Sequence, residues 1–324
     1  MENRELRAAL ADAEIRLLRV FQAVVRQQGF AAAQVELGLS PATISNHIAS
    51  LEARLGVRLC NRGRRGFSLT PEGGRIHEAS LSLFRSVENF ASVVGSVRGE
   101  LTGSVHFATV DAMHTNADLA LGKALGSFAR AAPGVSLHVD VASPHDLRQR
   151  LLDGRYQLIL TPLPDAHPSI VSIHLFDEEQ TLLCGRGHPL FAVSKRKLAA
   201  RLQEPQRYAA RSYATERGGA ASAGFEISAV TSHMESLALL ILSGTYIGHL
   251  PTHYARSWEI AGAMRSLLPR TTSYVDSFHL AHARGEQNRA AGLLRRCVLD
   301  ICRTPGGQDR ISDGGSHASN MPPI

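Results

Sequence analysis

The chain has few cysteines and no apolar run long enough to cross a bilayer. Cys60, Cys184, Cys297 and Cys302 form no C-x-x-C pair, which argues against a thiol metal ribbon or a dithiol redox motif. Cys297 and Cys302 read instead as fillers near the end of an amphipathic helix. The first residues, Met1-Glu2-Asn3-Arg4-Glu5-Leu6-Arg7, are charged and lead into no signal-like apolar stretch, so the expected location is the cytoplasm. Catalytic signatures are missing too. There is no G-x-S-x-G elbow, no phosphate-binding P-loop and no G-x-G-x-x-G turn after a strand. His249 and His253 stand four apart and His279 and His282 three apart, but no carboxylate or thiol completes a metal set; Cys184 and His188 are a lone pair. The expectation is a protein that is not an enzyme and needs neither metal nor cofactor.

What is present is length and local positive charge. The 324 residues suffice for two domains, and the net charge of +6 is unevenly spread. Arg58, Arg62, Arg64, Arg65 and Arg75 crowd one short region, which points to a polyanionic partner. Ahead of them lie three helical patterns. Leu17, Phe21 and Val24 repeat at helical spacing, widened by Leu18 and Val25, and Gly29 ends that helix. Ala31 to Leu37 gives a short second helix stopped by Gly38.

The third helix carries the strongest signal. Ser40 suits an N-cap and Pro41 the first helical position. Ile44, Ile48, Leu51 and Leu55 share a narrow arc, while Ala42, Thr43, Asn46, Ala49 and Ser50 form a face of short side chains opposite. Asn46 has the groups to bond an adenine edge bidentately, and alanine or threonine methyls suit a thymine methyl. A plain helical hairpin explains the apolar arc equally well, but not the lack of bulky charged residues on the outer face or the arginines beyond. Val57 to Cys60 and Phe67 to Leu69 read as strands around a turn at 61–66, a basic wing suited to phosphates or a minor groove.

Thr70-Pro71-Glu72 opens a long helix running to about Val97. Ile76, Leu83, Phe90 and Val97 recur every seventh residue, with Ser80, Val87 and Val94 in a second seam. A dimer seam is the preferred reading, and a helix packed on its own domain the alternative. Residues 99–103 loosen the chain. Beyond them come strands at Ser104–Val110, Ser136–Val141 and Tyr156–Leu160, and helices at Asn116–Ala131 and His145–Leu152. Continued alternation to about Cys302 predicts an α/β domain with mainly parallel sheets. From Thr304 the composition predicts disorder.

These residues carry a resemblance. Leu18-x-x-Phe21-x-x-Val24, Gly29-Phe30, Ala31-Ala32-Ala33, Leu37-x-x-Ser40, Ile44-Ser45, His47-Ile48, Leu51-Glu52-x-x-Leu55-Gly56-x-x-Leu59, Arg62 and Leu69-Thr70-x-x-Gly73 resemble the N-terminal domain of the LysR-type transcriptional regulators. Leu151-x-x-Gly154-x-x-x-Leu158, Gly187-His188-Pro189-Leu190 and Gly244-x-x-Ile247-Gly248-x-Leu250-Pro251 resemble that family's effector domain more loosely. Pro41 and Cys60 stand where the family often has Gln and an aromatic. The resemblance implies an all-α winged helix-turn-helix head, a long linker helix and a two-lobed α/β effector-binding domain similar to type 2 periplasmic binding proteins. The corresponding division is an extension at 1–11, the head at 12–70, the linker at 71–98, the effector domain at 99–303 and a tail at 304–324. It also implies a homodimer or homotetramer, without a membrane role, on promoter DNA bearing an interrupted palindrome. The expected DNA-binding residues are Ser40, Pro41, Ala42, Thr43, Ser45, Asn46, Arg58, Arg62, Arg64 and Arg65.

Ligands of open α/β sheets bind at the carboxyl ends of strands, near helix N-termini. Candidate effector residues there are Thr109 and Asp111; Ser143 and His145; Thr161 and Leu163; Ser232 and His233; and His249 and Thr252. Taken singly, each Ser or Thr is explained as a helix cap. As a set they favour a small anionic or polar effector. Arg211 suits a carboxylate, whereas Asp111 suits an amine or hydroxyl. A solute-binding protein with no DNA role is the alternative function.

Overall fold

The computed structural model describes residues 12–63, 66–97, 101–117, 119–163, 166–213, 225–285 and 288–302. The proposed extension at 1–11 and tail at 304–324 lie outside them. The chain divides into two compact units between Phe90 and Ala91.

In the first unit, α1 (Asp12–Arg26), α2 (Ala33–Leu37) and α3 (Pro41–Leu55) bury Leu17, Phe21, Val24, Ala33, Ile44, Ile48 and Leu51 in one core. Gly56 ends α3 in the left-handed conformation, at φ +68°, and its N–H bonds the Glu52 carbonyl. The wing pairs β1 (Cys60–Gly63) with β2 (Gly66–Leu69), Cys60 opposite Leu69 and Gly63 opposite Gly66. The first wing strand thus begins where the sequence reading had it end, and Arg62 lies in the ladder rather than the turn. The reason is local: Glu52 Oε1 accepts the N–H groups of Leu59 (2.8 Å) and Cys60 (3.2 Å), tying Val57–Leu59 to the end of α3.

The long helix α4 (Pro71–Val97) begins against that same segment. Thr70 Oγ1 accepts from Gly73 N at 2.9 Å and donates to Arg58 O at 2.6 Å. A Cβ on Gly73 would stand 2.0 Å from the Leu59 carbonyl oxygen, a backbone atom that cannot swing aside. Gly73→Ala is therefore expected to lower head stability by about 1–3 kcal/mol, read from thermal or urea unfolding. Ile76, Leu83 and Phe84 pack on the head core, and Ser80, buried, is bonded by Gln22 Nε2 at 3.1 Å. The seam expected to face a partner is therefore half consumed by the protein's own head. Farther on, Val87, Phe90 and Val94 are exposed, Phe90 by 69%. The side chain of Val97 lies outside the described residues.

The second unit is built on a nine-stranded sheet of order β4-β3-β5-β11-β6-β9-β7-β8, with β10 beside β6. Its strands are β3 (Gly103–Thr109), β4 (Val135–Val141), β5 (Leu158–Pro162), β6 (Ile170–Gly185), β7 (Arg207–Arg211), β8 (Glu226–Thr231), β9 (Ile247–Pro251), β10 (Met264–Ser266) and β11 (Tyr274–Ala283). The sheet is mixed, not mainly parallel. Parallel pairs β3/β4 and β3/β5 form one lobe, and β7/β8 and β7/β9 the other. The sixteen-residue β6 and ten-residue β11 run between the lobes as an antiparallel pair, which breaks the alternation of strand and helix.

Helices α5 (Leu121–Ala131), α6 (Pro144–Leu152) and the terminal α11 (Arg289–Cys302) belong to the first lobe, whose core gathers Val105, Phe107, Phe128, Leu158, Leu160 and Leu294. Helices α7 (Lys195–Leu202), α8 (Met234–Leu242), α9 (Thr252–Ile260) and the short α10 (Pro269–Thr272) belong to the second. There Leu183, Met234, Leu237 and Ile241 fill one cluster, and Leu182, Leu198 and Ile247 another. The helix expected from Asn116 starts only at Leu121. Ala112 and Ala120 take positive φ, +64° and +44°, and Asn116 Oδ1 turns back to accept from Leu119 N at 3.1 Å. Between them Met113–Thr115 makes a single 3-10 turn. The strand expected at Tyr156–Leu160 lies at Leu158–Pro162, with Tyr156 buried just ahead of it.

Candidate functional sites

The head presents the polar face of α3. Ser40 is its N-cap and accepts from Thr43 N at 3.1 Å; the two hydroxyls lie 2.9 Å apart. Pro41 follows at the first helical position. Ser40, Pro41, Ala42, Asn46, Ala49 and Ser50 are exposed, while Thr43 and Ser45 are partly so. With Ile44, Ile48 and Leu51 fully buried beneath, nothing bulkier than asparagine stands on the exposed residues of the first two turns. Arg58 is exposed just before the wing. Arg64, Arg65 and the side chain of Arg62 lie outside the described residues. Arg54, which sequence reasoning passed over, pairs with the buried Glu14 of α1 and so ties α3 to its support.

The second candidate site lies between the lobes. Asp111 follows β3, and Arg211 ends β7. Arg211 Nη2 donates to Asp111 Oδ1 at 3.0 Å, and Asp111 Oδ2 accepts from the backbone N–H of Met234, the first residue of α8. One carboxylate of the first lobe thus caps a helix and neutralises an arginine of the second. The N-cap position itself is His233, which makes no side-chain cap bond. Arg211 is 7% exposed, stacks over the Tyr213 ring at 4.4 Å, and has an Nε with no partner among the described residues. A second bridge joins Thr115 Oγ1 to His253 Nδ1 (2.8 Å) and His253 Nε2 to Glu178 (2.7 Å).

The other expected effector residues are spread more widely. Thr109 Oγ1 donates to the Leu160 carbonyl at 3.1 Å, and Thr161, fully buried, has a hydroxyl without a partner among the described residues. Ser143 caps α6, donating to Asp146 Oδ2 at 2.8 Å, with His145 exposed beside it. Leu163 packs against the first-lobe core. Ser232 and His233 are exposed, Ser232 accepting from Ser212 at 3.4 Å. Thr252 does not cap α9; its hydroxyl meets Thr181 Oγ1 at 2.8 Å and donates to Glu179 O at 3.2 Å. His249 is consumed by the fold. Its Nε2 donates to Thr272 O, so its Nδ1 accepts from the Tyr208 hydroxyl, both at 2.8 Å. Burial pushes its pKa down to about 4, which keeps the ring neutral.

Glu178, Tyr213 and Asp276 were not expected at the site. Asp276 stands directly opposite Glu178 in the β6/β11 pair. Burial, and then the Glu178 carboxylate, push the Asp276 pKa up to about 6. Apart from these groups, Thr109 and Asp111 also line an open groove of about 660 Å³ on the first lobe, with Met113, Leu121 and Val141.

Two family models match. "Bacterial regulatory helix-turn-helix protein, lysR family" covers residues 15–74, and "LysR substrate binding domain" covers 98–303. The activator BauR of Pseudomonas aeruginosa is 33% identical over 285 residues, which span 86% of this chain and 92% of BauR. An SDS degradation transcriptional activation protein of a Pseudomonas species is 27% identical over 307 residues, 92% of this chain and 99% of the relative. In structure, the LysR family regulator CbnR superposes with a TM-score of 0.62 at 18% identity, over 90% of this chain and 99% of CbnR. Full-length CbnR in complex with its target DNA gives 0.60 at 20% identity, over 90% of this chain and 100% of that one. With head, linker and two-lobed domain all accounted for, the chain belongs to the LysR family and is a DNA-binding transcriptional regulator with an effector-binding domain.

Proposed function

We propose that α3 enters the major groove of promoter DNA and reads it chiefly through Asn46, with Ser40, Pro41, Ala42, Thr43 and Ser45 setting the close approach. Arg58, Arg62, Arg64 and Arg65 grip the flanking phosphates. The observation that carries this reading is the exposed run of short side chains on a helix whose other face is locked in the core, followed at once by the basic wing. The exposed half of the α4 stripe, Val87, Phe90 and Val94, joins two copies. A two-fold homodimer, or a tetramer of two such dimers, then reads an interrupted palindrome in the cytoplasm. A small effector bearing an anionic group enters the cleft between the lobes, takes the free edge of Arg211, and changes how the assembly holds DNA. The protein binds rather than catalyses.

Asn46→Ala tests the base-reading role. Because Asn46 is exposed, the fold is expected to stay intact. The discrimination between specific and random duplex is expected to fall by about 1–3 kcal/mol. Fluorescence anisotropy with both duplexes measures it. An unchanged ratio removes Asn46 from the interface.

A further inference from the structure

The cleft sets two carboxylates against one another. Strands β6 and β11 are antiparallel there, with Tyr274 opposite Gln180 and Asp276 opposite Glu178, so the two acidic side chains share one face. Glu178 is 3% exposed and Asp276 partly buried. Glu178 is held at both oxygens, by His253 and by Gln180 at 2.7 Å each. Asp276 has neither a hydrogen bond nor an ion pair among the described residues. Like charges placed directly opposite destabilise a strand pair, and a desolvated carboxylate without a donor costs more still.

A second feature points to a ligand from the opposite charge. Arg211, more than nine-tenths buried, lies within electrostatic reach of Asp276, and its Nε has no acceptor among the described residues. The Tyr213 ring lies beneath its guanidinium, and the Tyr213 hydroxyl feels Arg211, Asp276, Asp111 and Glu178 together. Among the described residues the cleft therefore holds an unfilled donor and an unfilled acceptor within one small group of side chains.

We propose that the effector is a compact amino acid, its ammonium group docked on Asp276 and Glu178 and its carboxylate on the Nε edge of Arg211. This rests on the cleft being the effector site, and adds the ligand's chemical class. An ammonium supplies the donors that Asp276 lacks and relieves its repulsion with Glu178. The raised pKa of Asp276 fits a site that pays in stability for an acid it uses only when occupied. The sign follows. A carboxyl held protonated by the fold loses stability as pH rises from the ordinary 3.8 through about 6, because the unfolded chain gives up its proton first. The groups facing Asp276 are Glu178 from β6, Arg211 from β7, and the Tyr213 and Tyr274 hydroxyls.

The test uses the full chain and straight-chain compounds on matched skeletons from propane to hexane: the 2-amino and terminal amino acids, the diamines and the dicarboxylic acids. Calorimetric titration and melting temperature are read for the wild type and for Asp276→Asn. The expected result is that at least one amino acid binds and raises the wild-type melting temperature more than the dicarboxylate of its length. Asp276→Asn is expected to weaken that binding about a hundredfold. Ligand-free, the variant is expected to melt higher than the wild type at neutral pH and to lose the decline between pH 4 and 6, a readout that a purely structural acid would move the other way. A dicarboxylate that binds as well as the amino acids overturns the proposal, as does an Asp276→Asn variant that binds them undiminished, or a wild type that binds no amine-bearing member. Promoter binding measured in parallel separates the two readings. A dicarboxylate that binds and alters DNA affinity leaves the cleft as effector site and removes only the ammonium, whereas an amino acid that binds without any effect on DNA removes the regulatory role of the cleft.

Discussion

Asp111→Ala is expected to destabilise the effector domain by about 3–5 kcal/mol. The carboxylate is the ion-pair partner of Arg211 and the acceptor for the first amide of α8, so its removal leaves a buried guanidinium and a helix terminus unpaired together. Trp258, the chain's single tryptophan, lies in α9 and reports the unfolding of this domain by its fluorescence. Asp111→Asn keeps an acceptor for the Met234 N–H and loses only the charge, so its loss is expected to be the smaller. Equal stability of wild type and Asp111→Ala contradicts a load shared between the lobes through this one side chain.

The second large effect concerns DNA. If Arg58, Arg62, Arg64 and Arg65 of each protomer contact phosphate, a dimer makes about eight contacts, and log K against log salt has a slope of roughly −7. Affinity then falls about 10⁴-fold between 50 and 200 mM salt. Arg58→Ala is expected to lower the slope by about two in the dimer, one for each copy, with little change in sequence preference. A salt-independent affinity, or an Arg58→Ala variant that changes preference instead, contradicts the division between phosphate grip and base reading.

How much of this was legible in the sequence depends on the range over which each element is determined. The head is local. The cap at Ser40, the arc of Ile44, Ile48 and Leu51, and the stop at Gly38 are each set within a few residues, and all stand in the fold as the sequence indicates. The α4 stripe is also visible in sequence, but period alone does not say which partner covers it; Ile76 and Leu83 go to the head, whereas Val87 and Phe90 stay exposed.

The effector domain is determined at longer range and is less legible. β6 passes from one lobe to the other through Asp177-Glu178-Glu179-Gln180, a charged run that signals a loop by composition. The run is strand because β11 pairs with all four of its residues. The positive φ at Ala112 and Ala120 has no local residue signature, so the helix after β3 was started too early. The Asp111 cap on Met234 joins residues 123 apart in sequence, and no spacing rule reveals it. His249 shows the opposite failure. A histidine beside a strand end suggests a ligand, but Tyr208 and Thr272 already occupy both its nitrogens. For the same reason the Asp276–Glu178 pair was missed: each acid looks solvated in sequence, and only the register brings them face to face.

Hydroxyl-radical footprinting of the promoter by the full chain at low ionic strength bears most directly on a two-fold reader of DNA. The expected pattern is two protected half-sites on one face of the duplex, centred about 34–36 Å apart or at a multiple of that distance. One unbroken patch laid down by a monomer, or no protection of any sequence, would contradict it.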